Sequence, residues 1–233
     1  MVSPAYILIL FTLLILTVQE KDSYKQKREE MVRESIEARG VKDKAVLKAM
    51  RTVKRHLFVP PDQAAYAYED HPLPIGSGQT ISQPYMVAYM TEVIKPTPQM
   101  KVLEVGTGNG YQAAVLAEIV KQVYTIEIIP ELGQSAATRL KKLGYDNVQV
   151  KVGNGYHGWG EHAPYDAIVV TAAAEKVPPP LVEQLKDGGK MVIPIGPQFR
   201  TQSLLLIEKK NGKISTKKLM PVVFVPFTGG DKQ

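Results

Sequence analysis

The sequence of 233 residues contains no cysteine. Without a thiol, the chain can form no disulfide framework, no thiolate nucleophile and no thiolate metal site. Histidine is also scarce, and the four present (His56, His71, His157 and His162) show no H-E-x-x-H or related ligand spacing. We therefore expect a protein that has no disulfides and binds no metal.

Internal repeats and low-complexity tracts are absent too, and the length suits one sizeable α/β domain better than two. The formal net charge is +6, with the basic excess towards the N-terminus. A nucleic acid or a membrane surface would suit such a charge, but a solvated basic helix face accounts for an excess of this size. We expect no nucleic-acid partner.

A long apolar run occurs only near the start of the chain. Residues 5–18 are apolar except for two threonines, and no charged side chain precedes Glu20. This segment lacks the basic region and the cleavage site of a signal peptide, and it is short for a membrane-spanning helix of about 20 residues. We interpret residues 1–20 as an optional membrane anchor on a cytoplasmic domain of residues 21–233, since basic residues follow it. A start codon annotated upstream of the true one is the alternative.

The centre of the sequence is a short apolar run that leads into alternating glycines. Residues 102–105 have the pattern of a buried strand, and glycines follow at positions 106, 108 and 110. An amphipathic helix pattern comes next. Strand, glycine turn and helix in this order open a nucleotide-binding βαβ unit, because glycine allows both the turn and the close approach of a ligand.

The spacing of these glycines distinguishes between ligands. A dinucleotide fingerprint, G-x-G-x-x-G, would need its third glycine at the position of Tyr111. An acid two residues before three alternating glycines instead resembles the first motif of Rossmann-like S-adenosylmethionine-dependent methyltransferases. Here that motif reads Glu104-Val-Gly106-Thr107-Gly108-Asn109-Gly110. Glu127 lies within the next predicted strand, about 20 residues further on, where an acid can accept hydrogen bonds from both ribose hydroxyls.

The remaining pattern predicts a doubly wound α/β fold. We expect a sheet of about seven strands with the last strand antiparallel and helices on both faces. The expected strands after the glycine turn cover residues 123–128, 148–152, 165–171, 191–195, 203–207 and 219–225. The prolines and glycines of residues 70–85 predict a loop that leads into a helix, with Ser82 as its N-cap and Pro84 in its first turn. The free N–H groups of such a helix start could also bind a carboxylate.

The residues after the predicted strands limit the substrate. Methylation of exocyclic amino groups on bases typically uses an Asp/Asn-Pro-Pro-aromatic segment after the fourth strand, where this chain has Val170-Thr171-Ala172-Ala173. A cytosine C5 enzyme would need a cysteine. Protein, small-molecule and RNA ribose targets remain open, and so does a binding module without catalysis.

From about residue 24 to 228 the chain resembles the protein-L-isoaspartate O-methyltransferase family. The resemblance rests on the glycine motif and on three further segments: Ile75-Gly-x-Gly-Gln-Thr-Ile-Ser-Gln-Pro84, residues 165–173 and Phe224-Val-Pro-Phe227. The segment from Ile75 to Pro84 is the most specific, because other methyltransferases lack Thr-Ile-Ser-x-Pro ahead of the glycine strand. The resemblance implies a cytoplasmic repair enzyme, expected to be a monomer. It would use S-adenosylmethionine to methylate the free carboxylate of isoaspartyl residues in damaged proteins and peptides.

The resemblance also implies roles for individual residues. Ser82 takes the place of the family's active-site serine and would orient the substrate carboxylate. The cofactor residues implied by the motifs are Gln79, Thr80, Ile81, Glu104, Gly106, Thr107, Gly108, Asn109, Gly110, Glu127, Asn154 and Gly155. Asn154 departs from the family's usual aspartate, which accepts a hydrogen bond from the adenine amino group. We expect the carbonyl oxygen of Asn154 to take over that bond.

Overall fold

The computed structural model describes residues 24–230, so the apolar segment of residues 1–20 lies outside the described part of the chain. Residues 24–39 form the first helix, α1, whose second half is a π-helix over Met31–Ile36 and a 3₁₀ turn over Glu37–Arg39. The later helices are α2 Lys44–Thr52, α3 Pro84–Val93, α4 Tyr111–Ala117, α5 Pro130–Lys142 and α6 Pro179–Gln184. Within residues 24–230, no helix is long and apolar enough to cross a bilayer.

Two sheets form in this range. A hairpin consists of β1 Leu73–Gly76 and β2 Gln79–Ile81. The main sheet contains β3 Lys101–Val105, β4 Gln122–Glu127, β5 Val148–Val152, β6 Tyr165–Val170, β7 Leu185–Ile195, β8 Gln202–Lys210 and β9 Lys213–Val222. Its spatial order is β5-β4-β3-β6-β7-β8-β9.

The pairing in the main sheet confirms the predicted fold class. Strands β3 to β7 pair in parallel, and the antiparallel pairings come at the end, where β8 joins β7 on one side and β9 on the other. Strand β3 lies inside the sheet between β4 and β6, and Val102–Val105 are at most 3% exposed. Alternate side chains of β3 enter different cores: Val102 packs with α1 to α4, whereas Leu103 packs with Leu181 of α6. Helices therefore cover both faces.

The segment of residues 70–85 differs from the predicted loop, because a tight β-hairpin interrupts it. Leu73 pairs with Ile81, and the two-residue turn consists of Ser77 and Gly78, which both have positive φ. A turn of this kind matches the twist of the two strands that it joins. The two strands are only four and three residues long, so their apolar alternation is too short to detect in the sequence.

The predicted N-cap role of Ser82 was wrong. Helix α3 starts at Pro84, and Asp70 from the distant start of the hairpin stabilises that start instead. Its Oδ1 atom accepts a hydrogen bond from the Tyr85 backbone amide at 2.9 Å. Its Oδ2 atom accepts from the side chains of Gln83 at 2.8 Å and Arg39 at 2.7 Å. The carboxylate thus ties the hairpin, α1 and α3 together around Ser82.

We predict that Asp70→Ala lowers the free energy of unfolding by about 2 kcal/mol, because it removes a helix cap and two charge-assisted hydrogen bonds. Ser82→Ala should change it by no more than about 0.5 kcal/mol. Urea denaturation followed by circular dichroism measures both values. Equal destabilisation by the two substitutions would show that Ser82 does cap the helix.

Candidate active site

A cleft, the first chamber, lies at the carboxyl ends of β3, β4 and β6. This edge of a parallel α/β sheet is where ligands usually bind. The glycine turn after β3 forms its floor, the β1–β2 hairpin covers one side, and residues 225–229 form the outer wall. The predicted site residues that line this first chamber are Gln79, Thr80, Ile81, Ser82, Glu104, Gly106, Thr107, Gly108, Asn109, Glu127 and Gly155.

The glycine turn leaves no room for a side chain at its first position. Gly106 has φ of +98°, and a Cβ atom there would lie 2.3 Å from the hydroxyl oxygen of Thr171. That hydroxyl donates a hydrogen bond to the Gly106 carbonyl at 2.7 Å. Thr171 follows β6 and lines the chamber. In the sequence, Thr171 stood out only as part of the segment after the fourth predicted strand, so its role in shaping the turn was not predicted.

The carboxylate of Glu127 holds two turns together. Its Oε2 atom accepts a hydrogen bond from the Gly108 amide at 2.7 Å, and its Oε1 atom accepts one from the Ile129 amide at 3.0 Å. Each carboxylate oxygen retains capacity for a further donor. The side chain is therefore fixed at the end of β4 and can accept hydrogen bonds from a ligand in the chamber.

Glu104 is fully buried below the glycine turn. Its Oε2 atom accepts a hydrogen bond from the hydroxyl of Thr125, which also lies 2.6 Å from the hydroxyl of Thr107. Its Oε1 atom has no hydrogen-bond partner in the described part of the chain. Burial raises the pKa of this carboxyl from 4.5 to about 8, and the nearby charge of Glu127 adds to the rise. A cationic ligand would provide the missing partner and favour the ionised form.

Two predicted cofactor residues do not line the chamber. Gly110 has φ of +90° and is the N-cap residue directly before α4, and a Cβ there would lie 3.1 Å from Leu140, so its position meets a structural need. Asn154 uses both ends of its amide within the protein. Its oxygen accepts from the Tyr156 amide at 3.0 Å, and its nitrogen donates to the Gly230 carbonyl at 2.9 Å.

The outer wall of the chamber was not predicted from the sequence. Residues 225–229 follow the last strand and return to the end of β6. There the Ala173 amide donates to the Val225 carbonyl at 2.8 Å, and the Phe227 amide donates to the Ala173 carbonyl at 2.9 Å. The motif Phe224-Val-Pro-Phe227 was the only clue to this wall in the sequence.

A second chamber adjoins the first. Both chambers are lined by the same four residues at their junction: Thr80, Ser82, Thr171 and Val225. The half-buried Ser82 makes no side-chain hydrogen bond to any described residue, so its hydroxyl is free to bind a ligand. Arg39 is the charged residue of the second chamber, and its guanidinium stacks 3.6 Å from the centre of the Tyr85 ring. Two ligands could therefore meet beside Ser82.

Comparison with known families identifies the chain. A family model described as protein-L-isoaspartate(D-aspartate) O-methyltransferase matches residues 26–232. The chain belongs to this family. The resemblance seen in the motifs is thereby confirmed. Within residues 24–230, no group of three or more His, Asp or Glu side chains is arranged to hold a metal.

Individual members of the family are similar over most of their length. A Polaromonas protein-L-isoaspartate O-methyltransferase 2 is 62% identical over 188 residues, which cover 80% of this chain and 89% of the relative. The Syntrophobacter fumaroxidans protein of the same name is 56% identical over 219 residues, or 90% and 89% of the two chains. One solved structure is that of a Plasmodium falciparum protein assigned to this activity, in complex with S-adenosyl-L-homocysteine. It is 29% identical with a TM-score of 0.75, over 87% of this chain and 99% of its own.

The raised pKa of Glu104 should make the stability of the protein depend on pH. Between pH 4.5 and about 8, the folded protein retains a proton on Glu104 that the unfolded chain has released. Stability therefore falls as the pH rises through this window and levels off above it. Glu104→Gln should remove this loss, so its melting temperature should exceed that of the parent by several degrees at pH 8 and match it near pH 4.5. Calorimetry at both pH values checks this, and an equal difference at both would contradict the assignment.

Proposed function

We propose that this chain transfers a methyl group from S-adenosylmethionine to the free carboxylate of L-isoaspartyl residues in damaged proteins and peptides. The observation that carries the proposal is the position of Ser82 where two chambers meet. One chamber has the lining expected for the cofactor, and the other would take the peptide. Family membership supports the same reaction.

The residues of the first chamber fit the cofactor. Glu127 would accept hydrogen bonds from the ribose, and the glycine turn would allow the cofactor close to the backbone. The unpartnered oxygen of Glu104 suits a ligand that carries positive charge, as S-adenosylmethionine does in its sulfonium and ammonium groups. When bound, the cofactor supplies a methyl group already activated by the sulfonium.

The protein then needs to align the reactants rather than to move a proton. An isoaspartyl carboxylate is ionised at pH 7, so no general base is required. One carboxylate oxygen forms a bond to the methyl carbon while the bond from that carbon to sulfur breaks, which leaves a methyl ester and a neutral thioether. Ser82 would donate a hydrogen bond to the carboxylate and hold it in line. Alignment of this kind accounts for much of the rate in such reactions.

The rigid surroundings of Ser82 offer a means to select isoaspartate. Ser82 lies between β2 and the start of α3, and Asp70 fixes that start through Gln83 and Tyr85. An isoaspartyl residue has one more methylene in its main chain than aspartate and carries its carboxylate on a shorter branch. The two carboxylates therefore reach different positions when the peptide backbone is held, and a displacement of about 1 Å can lower the rate about a hundredfold.

Isoaspartyl proteins and peptides are thus the proposed partners. A monomer suffices for the reaction, because residues of one chain line both chambers. The cytoplasmic location and the optional anchor role of residues 1–20 remain predictions from the charge pattern of the sequence.

Transfer of labelled methyl to an isoaspartyl peptide tests the proposed function, with the aspartyl peptide of the same sequence as control. We expect a base-labile methyl ester on the isoaspartyl peptide alone. Equal labelling of the two peptides, or labelling of RNA in a parallel reaction instead, would contradict the proposal.

Ser82→Ala should lower kcat on the isoaspartyl peptide at least about tenfold, because the carboxylate loses the donor that orients it. The dissociation constant of the cofactor should change much less. Ser135→Ala, at an exposed serine of α5 that lines neither chamber, is the matched control. Parental turnover in a folded Ser82→Ala protein would remove Ser82 from the mechanism.

Glu127→Ala should weaken S-adenosylmethionine binding about tenfold or more, since hydrogen bonds to a charged group contribute roughly 1.5–3 kcal/mol each. Isothermal titration calorimetry measures the change. Glu131→Ala, four residues further along and outside the first chamber, should bind like the parent. A melting curve accompanies both variants, because Glu127 also holds the Gly108 and Ile129 amides. An unchanged dissociation constant in Glu127→Ala would mean that the ribose lies elsewhere.

A further inference from the structure

The outer wall of the first chamber, residues 225–229, is held by hydrogen bonds that differ along its length. Up to Phe227, two backbone hydrogen bonds to Ala173 hold it to the end of β6. Thr228 and Gly229 also line the chamber, but beyond Phe227 the described residues make one hydrogen bond to the rest of the protein. In that bond the side-chain nitrogen of Asn154 donates to the Gly230 carbonyl at 2.9 Å. The last part of the wall therefore depends on a single side chain.

The amide of Asn154 is fixed in orientation by its two partners. Its oxygen accepts from the Tyr156 amide at 3.0 Å and caps the short 3₁₀ turn Gly155–His157. Its nitrogen must then face Gly230, where only a donor can bind a carbonyl oxygen. Aspartate at this position could still accept from Tyr156, but it would present an oxygen to the Gly230 carbonyl and repel it.

We propose that Asn154 is a positioning residue that holds the C-terminal wall closed over the first chamber and so limits how fast the cofactor exchanges. The identity of the ligand rests on the proposed function, whereas the fastening itself does not. When the bond between Asn154 and Gly230 opens, Thr228 and Gly229 are free to move away from the chamber. A ligand held behind them then leaves faster.

Two neighbouring glycines provide a matched pair of variants for the test. A Cβ atom on Gly229 would lie 2.1 Å from the Asn154 side-chain oxygen, so Gly229→Ala must displace the wall from Asn154. A Cβ atom on Gly230 would meet nothing within 4 Å, so Gly230→Ala should leave the wall in place. Asn154→Asp breaks the same contact from the other side.

The first measurement is the dissociation rate of S-adenosyl-L-homocysteine from the full chain, followed by surface plasmon resonance. We expect this rate to rise about tenfold in Asn154→Asp and in Gly229→Ala, and to stay at the parental value in Gly230→Ala. The double variant Asn154→Asp/Gly229→Ala should exchange no faster than either single variant, because both open the same contact. A parental or slower rate in Asn154→Asp, or additive effects in the double variant, would overturn the proposal.

The second measurement needs no cofactor. Chymotrypsin cleaves after phenylalanine, and Phe227 is the last residue held by Ala173. Cleavage after Phe227 in the ligand-free protein, quantified by mass spectrometry, should be faster in Asn154→Asp and Gly229→Ala than in the parent and Gly230→Ala. Equal cleavage in all four proteins would refute the fastening. If cleavage is faster in these two variants but the parent protein itself does not bind S-adenosyl-L-homocysteine, the proposed function is refuted and the fastening remains intact.

Discussion

Two backbone amides, those of Gly108 and Ile129, converge on the carboxylate of Glu127, and the rest of the site depends on this convergence. The bond to Gly108 sets the glycine turn after β3, and the bond to Ile129 sets the turn after β4. Helix α4 begins directly behind the first turn, and α5 behind the second. The hairpin then packs on the same turn, because Ile75 reaches to within 3.3 Å of where a Cβ of Gly108 would lie. One carboxylate thus orders the chamber floor and the surface on which Gln79 to Ser82 rest.

The site combines this ordered floor with a buried group that the described residues do not fully satisfy. Glu104 has one oxygen without a partner, and its burial favours the protonated form at neutral pH. A glutamine or an apolar residue would suit the folded state better. A carboxyl retained there is understandable if a cationic ligand completes it. Stability and cofactor binding therefore place opposite demands on the same side chain.

The reaction also requires that the two reactants be held in a fixed position relative to each other. The position of Ser82 depends on Asp70, which is distant from it in sequence. Asp70 accepts hydrogen bonds from the start of α3, from Gln83 and from Arg39 of α1. The N-terminal helix therefore belongs to the site although it is remote from the glycine motif in sequence. The C-terminal wall closes the same junction from the other side through Val225, so both ends of the described range, residues 24–230, contribute to the reaction centre.

The sequence by itself determined the fold class and the floor of the site, because these depend on local patterns: apolar strands, a glycine turn that only glycine can form, and an acid at the end of the next strand. It also carried the serine segment as a recognisable motif.

Only the tertiary structure decided the long-range contacts. Strand β9 begins at Lys213 rather than near residue 219. The sequence did not predict the first half of this edge strand, because its side chains are exposed and lack an apolar pattern. Three contacts join residues that are 15 to 76 positions apart in the chain. Asp70 caps the helix in place of Ser82, Thr171 packs against Gly106, and Asn154 is bonded to Gly230. Such partners become neighbours only when the sheet brings distant turns to one edge, and no local spacing encodes them.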